Sequence, residues 1–247
     1  MSSPGREREG LRNCSPGLSL ASAEDGRVKS GGGTRMRHIM VLNAKGGCGK
    51  STIATNLAVF FARDGHETCI ADYDPQRSSL DWLATRPHDL PAISGVPAYE
   101  EGIRNVPRNT EVLVIDAPAR VHGTELNELV RRAETILVPV LPSTIDIKAC
   151  GHFMAELQEI GKVSRRQARL AVLANRVREH TLIFEELDRY LKHLKVPYLG
   201  ALREAQNYVR AYSRGMGVLE LPEYLAWPDW QQWEPICAWL DSKRSQP

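Results

Sequence analysis

The run His38-Ile39-Met40-Val41-Leu42-Asn43-Ala44-Lys45-Gly46-Gly47-Cys48-Gly49-Lys50-Ser51-Thr52 decides how this chain of 247 residues is read. A short apolar stretch ends in a glycine-rich turn. Behind the turn, Ser51 to Arg63 carries Ile53, Leu57, Val59 and Phe60 on one helical face. Glycines let a backbone wrap a phosphate without Cβ clashes. Their N–H groups and the start of the following helix form an anion nest. In that arrangement Lys50 reaches the β- and γ-phosphates and the Ser51 hydroxyl binds Mg²⁺. Ala44 stands where the common G-x-x-x-x-G-K-[ST] pattern has glycine, so the pattern here is K-G-G-x-G-K-[ST]. Such a string arises by chance in roughly one in 10⁴ to 10⁵ chains of this length. A merely structural glycine turn is the competing reading, and the strand–turn–helix context argues against it.

Further short apolar runs follow: Thr68–Ala71, Val112–Ile115, Thr135–Val140 and Leu170–Asn175, with Val196–Gly200 as a possible sixth. They do not alternate, as strands buried on both faces require. Helical periodicity fills Glu125–Arg132, Ile145–Ile160 and Leu182–Leu194. Strand and helix in alternation imply an α/β fold, a doubly wound and mostly parallel sheet with helices on both faces. Residues 36–247 form that one domain. Residues 1–35, rich in Ser, Gly and mixed charge, read as a disordered tail, or as a mis-assigned start with Met36 the first residue.

Composition narrows the function. Lysine plus arginine is 32 and aspartate plus glutamate 30, so the net charge of +2 does not announce a nucleic-acid binder. No run of about 18 apolar residues exists to cross a membrane. Five scattered cysteines without a CxxC pair argue against a disulfide scaffold or a cysteine metal site and for a reducing cytosol.

Two carboxylate elements follow strands. Asp72-Tyr73-Asp74-Pro75-Gln76 closes the second run, and Asp116 ends Val112–Ile115 in Val114-Ile115-Asp116-Ala117-Pro118. Acids at strand C-termini beside a phosphate loop sit where open α/β sheets bind ligands. Four apolar residues and then Asp is the Walker B pattern, which holds the Mg²⁺ shell.

With these boxes the chain resembles the ParA/MinD ATPases, P-loop NTPases of the SIMIBI type. Lys45–Ser51 is similar to their deviant Walker A box, and Asp72–Gln76 to their D-x-D-P-Q element. The resemblance implies an ATPase that turns ATP slowly to ADP and phosphate, with ATP and Mg²⁺ as cofactors. Gly46, Gly47, Cys48, Gly49, Lys50, Ser51 and Thr52 would hold ATP. Lys45 would reach across an ATP-sandwich homodimer to the partner's phosphates, resembling an arginine finger. Asp72 would hold the metal shell or its water, and Asp74 would orient the attacking water. Ser51, Asp72 and Asp116 form the implied metal set, the acids acting through water. Asn175 would read the adenine edge with its amide. The family often has a second proline after D-x-P, where this chain has Ala119-Arg120. Trp82 and Arg86 resemble the shorter members, those without a DNA-binding N-terminal domain.

The partners implied are a second copy, nonspecific DNA and a ParB-like or cargo-adaptor activator, which would place the protein on the nucleoid. Arginine and lysine concentrate between residues 162 and 214, with Arg203, Arg210 and Arg214 expected to contact phosphates. A set of solvated helix faces is the plainer reading of that stretch. A MinD-like membrane cycle is one alternative. Trp230, Trp233, Cys237 and Leu240 share a helical face near the C-terminus, but Asp229, Glu234 and Asp241 disfavour anionic lipid. A helix docked on the core is the expectation there. A P-loop enzyme passing phosphate to a small molecule is the other alternative.

Overall fold

A computed structural model describes residues 35–247. The expected disordered tail lies, Arg35 apart, outside the described residues. The chain runs β1 (Arg37–Val41), α1 (Lys50–Arg63), β2 (Thr68–Asp72), α2 (Ser78–Ala84), β3 (Ile93–Val96), α3 (Ala98–Glu101), β4 (Val112–Asp116) and α4 (Gly123–Arg132). It continues through β5 (Thr135–Val140), α5 (Thr144–Glu159), α6 (Gly161–Ser164), β6 (Arg169–Val177), α7 (Leu182–His193), β7 (Tyr198–Arg203), α8 (Gln206–Tyr212) and α9 (Glu223–Asp241).

All strand pairs are parallel, in the order β3-β2-β4-β1-β5-β6-β7. The doubly wound sheet expected from the apolar runs is present. Every residue of β2, β4 and β5 is buried, which is why their sequences do not alternate. On one face Met40, Leu113, Ile115 and Ile136 pack with Leu126 of α4, Phe153 of α5 and Leu187 of α7. On the other, Ile39, Val41, Ile70 and Val114 pack with Ile53 and Leu57 of α1, Trp82 of α2, and Trp233 and Ile236 of α9.

Two expectations change. The sheet has a seventh strand, β3, which the apolar runs do not reveal. Its sequence is Ile-Ser-Gly-Val, and only its two outer residues are buried. An edge strand this short leaves almost no pattern. The C-terminal helix does dock on the core, but its inner face is rotated from the expected one. Ala226, Asp229, Trp233, Ile236 and Leu240 face inward, while Trp230 and Cys237 sit at the margin.

β1 lies between β4 and β5; its own connection runs to β2 on one side, while that of its neighbour β5 runs to β6 on the other. The glycine turn after β1 therefore stands at the topological switch point, where the helices part and a ligand crevice opens.

Candidate functional site

Asn43 starts the loop. Buried at the end of β1, it donates to the Pro139 carbonyl at 2.7 Å and accepts from the Lys45 N–H at 3.0 Å. Gly47 and Gly49 have φ of 76° and 89°, a left-handed backbone that glycine adopts without a Cβ penalty. At Gly49 space adds a second demand, because a Cβ would stand 2.3 Å from the Asn175 amide nitrogen. The two lysines differ in setting. Lys50 is buried, its ammonium 3.3 Å from the Lys45 carbonyl inside the loop. The Lys45 side chain is exposed.

The carboxylates of β2 and β4 stand side by side, since Asp72 and Asp116 are register partners. Both are buried. Asp72 gives one oxygen to the Asp74 N–H at 3.0 Å. The other accepts from the N–H groups of Ser79 and Leu80 at 3.0 and 3.2 Å. Burial raises its pKa, with those N–H bonds pulling the other way. Asp116 accepts the Ser79 hydroxyl on Oδ2 at 2.6 Å, and its Oδ1 is buried without a hydrogen-bond partner. Burial pushes its pKa up to about 7, opposed by the Ser79 and Ser51 hydroxyls. Asp74 is half-buried on the loop before α2, where its side chain accepts the Gln76 N–H at 2.9 Å.

These groups fit a divalent cation. A buried carboxylate oxygen without a donor, next to a P-loop serine, is the hard-oxygen environment Mg²⁺ takes. Ser51 and Asp116 are the residues that would hold it. Asp72 also accepts three backbone N–H groups, so besides any part in the metal shell it shapes the loop and starts α2.

A cleft of about 1280 Å³ joins these parts. It runs from the glycine loop past Asp74 and Ser78, along Pro118 to Arg120, to the rim formed by Asn175, Arg176, Arg178 and residues 203–206, 208, 209, 212 and 213. Arg120 has a left-handed backbone, and its N–H is held by the Ala44 carbonyl at 2.8 Å, tying the loop after β4 to the glycine loop. Asn175 is buried and donates its amide to the Cys48 carbonyl at 2.8 Å. One of the two N–H groups of that amide thus supports the phosphate loop.

The expected basic face is dispersed. Arg169 and Arg176 lie near opposite ends of β6, roughly 20 Å apart by strand rise, so Arg165, Arg166 and Arg169 sit away from the cleft. Arg176 and Arg178 pair with Glu204, and Lys192 with Asp188. Arg203 lines the cleft and is partly exposed, and its guanidinium is tied to the buried Asp229 through two bonds of 2.7 and 3.1 Å. Arg210, in α8, and Arg214, just after it, are exposed, with no ion pair among the described residues, and neither lines the cleft. Ser79, Arg120 and the α8 wall had no motif to mark them; the signal for Ser79 was only its place a few residues beyond Asp72 and Asp74.

A parallel sheet with this loop at its switch point, and a metal-type carboxylate beside it, defines a P-loop nucleotide-binding protein. The chain belongs to the CobQ/CobB/MinD/ParA nucleotide-binding domain family, whose model matches residues 39–218. The maintenance of carboxysome distribution protein A of Halothiobacillus neapolitanus is 25% identical over 189 residues, 74% of this chain and 87% of that protein. The chromosome-partitioning ATPase Soj of Thermus thermophilus is 26% identical over 193 residues, 64% and 76% of the two chains. Among solved structures, the ATP complex of a Cyanothece McdA variant aligns with a TM-score of 0.63 at 15% identity, covering 83% of this chain and 97% of that one. That last likeness is one of fold.

Proposed function

We propose that this chain is an ATP-dependent dimerising switch that positions DNA or another intracellular cargo. The observation that carries the reading is the pairing of a buried Lys50 and an orphaned Asp116 oxygen inside the loop with an exposed Lys45 outside it. The inner groups serve the nucleotide of their own subunit. Lys45 has no such duty and is free to meet the nucleotide of a second copy.

Within one subunit, the loop N–H groups and Lys50 hold the phosphates, and the cleft wall of α8 closes the far side. Mg²⁺ at Ser51 and Asp116 would neutralise phosphate charge. Asp74 sits on the cleft wall, where it can orient a water; the loose transition state of phosphoryl transfer asks mainly for such positioning. Lys45 of each copy then places a cation where the other's transferring group gains charge. Slow hydrolysis, raised by an activating adaptor, would end the dimeric state.

The names of the relatives, a carboxysome distribution protein and a chromosome-partitioning ATPase, support positioning as the task. We assign nonspecific, nucleoid-associated DNA binding to the ATP dimer through Arg210 and Arg214, which are exposed, while Arg203 is tied to Asp229. A membrane cycle is disfavoured because the apolar face of α9 is already packed on the sheet, leaving no such face for lipid. No described helix is long and apolar enough to cross a membrane. The test is DNA retention by the purified protein with ATP and Mg²⁺, with ADP, and with vesicles in place of DNA. Retention on duplex with ATP alone supports the reading. Vesicle binding would move the protein to the membrane branch. ADP release driven by a small-molecule acceptor and indifferent to DNA would make it a phosphotransferase.

A further inference from the structure

Ser79 is fully buried, in the first turn of α2, and makes two bonds that no motif predicts. Its backbone N–H donates to Asp72 Oδ2 at 3.0 Å. Its hydroxyl donates to Asp116 Oδ2 at 2.6 Å. One residue therefore links the carboxylate that shapes the loop to the carboxylate that faces the metal position. The torsion at the end of an aspartate side chain is soft, so an unrestrained carboxylate turns broadly. The hydroxyl removes that freedom by occupying one oxygen and leaving the other, Oδ1, without a protein donor.

Ser79 is itself held from outside. Tyr212 donates its hydroxyl to the Ser78 carbonyl at 2.6 Å. Trp82 Nε1 donates to the Met216 carbonyl at 3.2 Å. At the end of the helix, Arg86 donates to the Gly215 carbonyl and forms a buried ion pair with Glu220 at 2.6 Å. Clamped at three points, α2 cannot carry Ser79 away from Asp116 without breaking interior bonds. A donor fixed this way is a preorganised outer partner of a metal ligand.

We propose that Ser79 is a positioning residue that presents Asp116 Oδ1 to Mg²⁺, and so sets how strongly the cation reinforces nucleotide binding. The proposal rests on the nucleotide and metal reading of the site. It goes beyond that reading in assigning the metal response to a residue outside the P-loop and Walker boxes.

The test is the ratio of ADP affinity in Mg²⁺ to that in EDTA, measured by calorimetry on the full chain. For wild type the ratio should exceed one; a ratio of one would sink the metal reading itself, and the proposal with it. Ser79→Ala should pull the ratio down toward one, by up to about tenfold, as removal of an outer partner does, with ADP affinity in EDTA held within about twofold. In an Asp116→Asn background, Ser79→Ala should have no further effect on the ratio, because the serine acts through that carboxylate. Should Ser79→Ala not fold, Ser79→Cys keeps the shape with a weaker donor and should fall below wild type in the same ratio. An unchanged Mg²⁺ response in the folded variant overturns the proposal. So does a loss of equal size in Mg²⁺ and in EDTA, which would make Ser79 a structural residue only.

Discussion

Two buried carboxylates invite comparison. Asp229, in α9, is wholly enclosed and fully used: Arg203 grips both oxygens and Asn207 adds a third bond at 2.6 Å. Asp116, at the end of β4, is equally enclosed but has one oxygen without a donor. A buried charge without compensation is expensive, and proteins keep such groups mainly where a ligand will complete them. The β7–α9 region thus satisfies its charges internally and acts as scaffold. The β1–β2–β4 rim leaves one unsatisfied and acts as site. Arg86–Glu220, with side chains 5% and 3% exposed, belongs with the scaffold.

The comparison breaks most visibly at the scaffold. Asp229→Ala would leave Arg203 and Asn207 without their acceptor and cost about 3 kcal/mol or more of stability, read as a shifted denaturation midpoint. Glu220→Gln should act similarly through Arg86, again by about 3 kcal/mol, and loosen the 215–221 segment in hydrogen exchange. A change below half a unit in either would show these pairs to be incidental.

At the site the sign reverses. Asp116→Asn removes a charge that burial already disfavours, so the nucleotide-free protein should hold or gain stability while losing stabilisation by Mg²⁺ with nucleotide. The pH dependence follows from the same carboxyl. Its pKa rises on folding from 3.8 to about 7, so it favours the fold while protonated, and that contribution is lost as pH climbs through this window. In metal-free buffer wild type should lose stability between about pH 4 and pH 7 from this group, and the asparagine variant should lack that part of the fall. Equal pH profiles by thermal melting would contradict the assignment.

The smallest effect on stability is expected on the exposed side of α8. Replacing Arg210 and Arg214 with alanine should change stability by less than about 0.5 kcal/mol. It should weaken ATP-dependent DNA retention and reduce the salt slope by up to about four, two for each subunit of the dimer. An unchanged slope would leave the DNA reading without its residues.

The glycine loop, β1 and the acids at the ends of β2 and β4 were legible because each is a local pattern of residue type and spacing. Asn175 was legible as a position, yet its partner, the Cys48 carbonyl, lies 127 residues away. The Arg203–Asp229 pair hid for a related reason: nothing in an arginine's sequence neighbourhood reports a buried acid on a later helix. Charge counting grouped residues 162–214 as one surface, whereas β6 carries its two ends to opposite sides of the sheet. Strand β3 was missed because its register against β2, not its own composition, makes it a strand.

The central claim is that the inner and outer groups of the loop serve different subunits. Light scattering on Lys45→Ala and Asp74→Ala in ATP and Mg²⁺ tests it directly. Without Lys45 the partner's phosphates lose a cation, so this variant should stay monomeric. Asp74 only places water, so its removal should leave a persistent, DNA-competent dimer with little hydrolysis. A dimeric Lys45→Ala protein beside a monomeric Asp74→Ala protein would contradict the account.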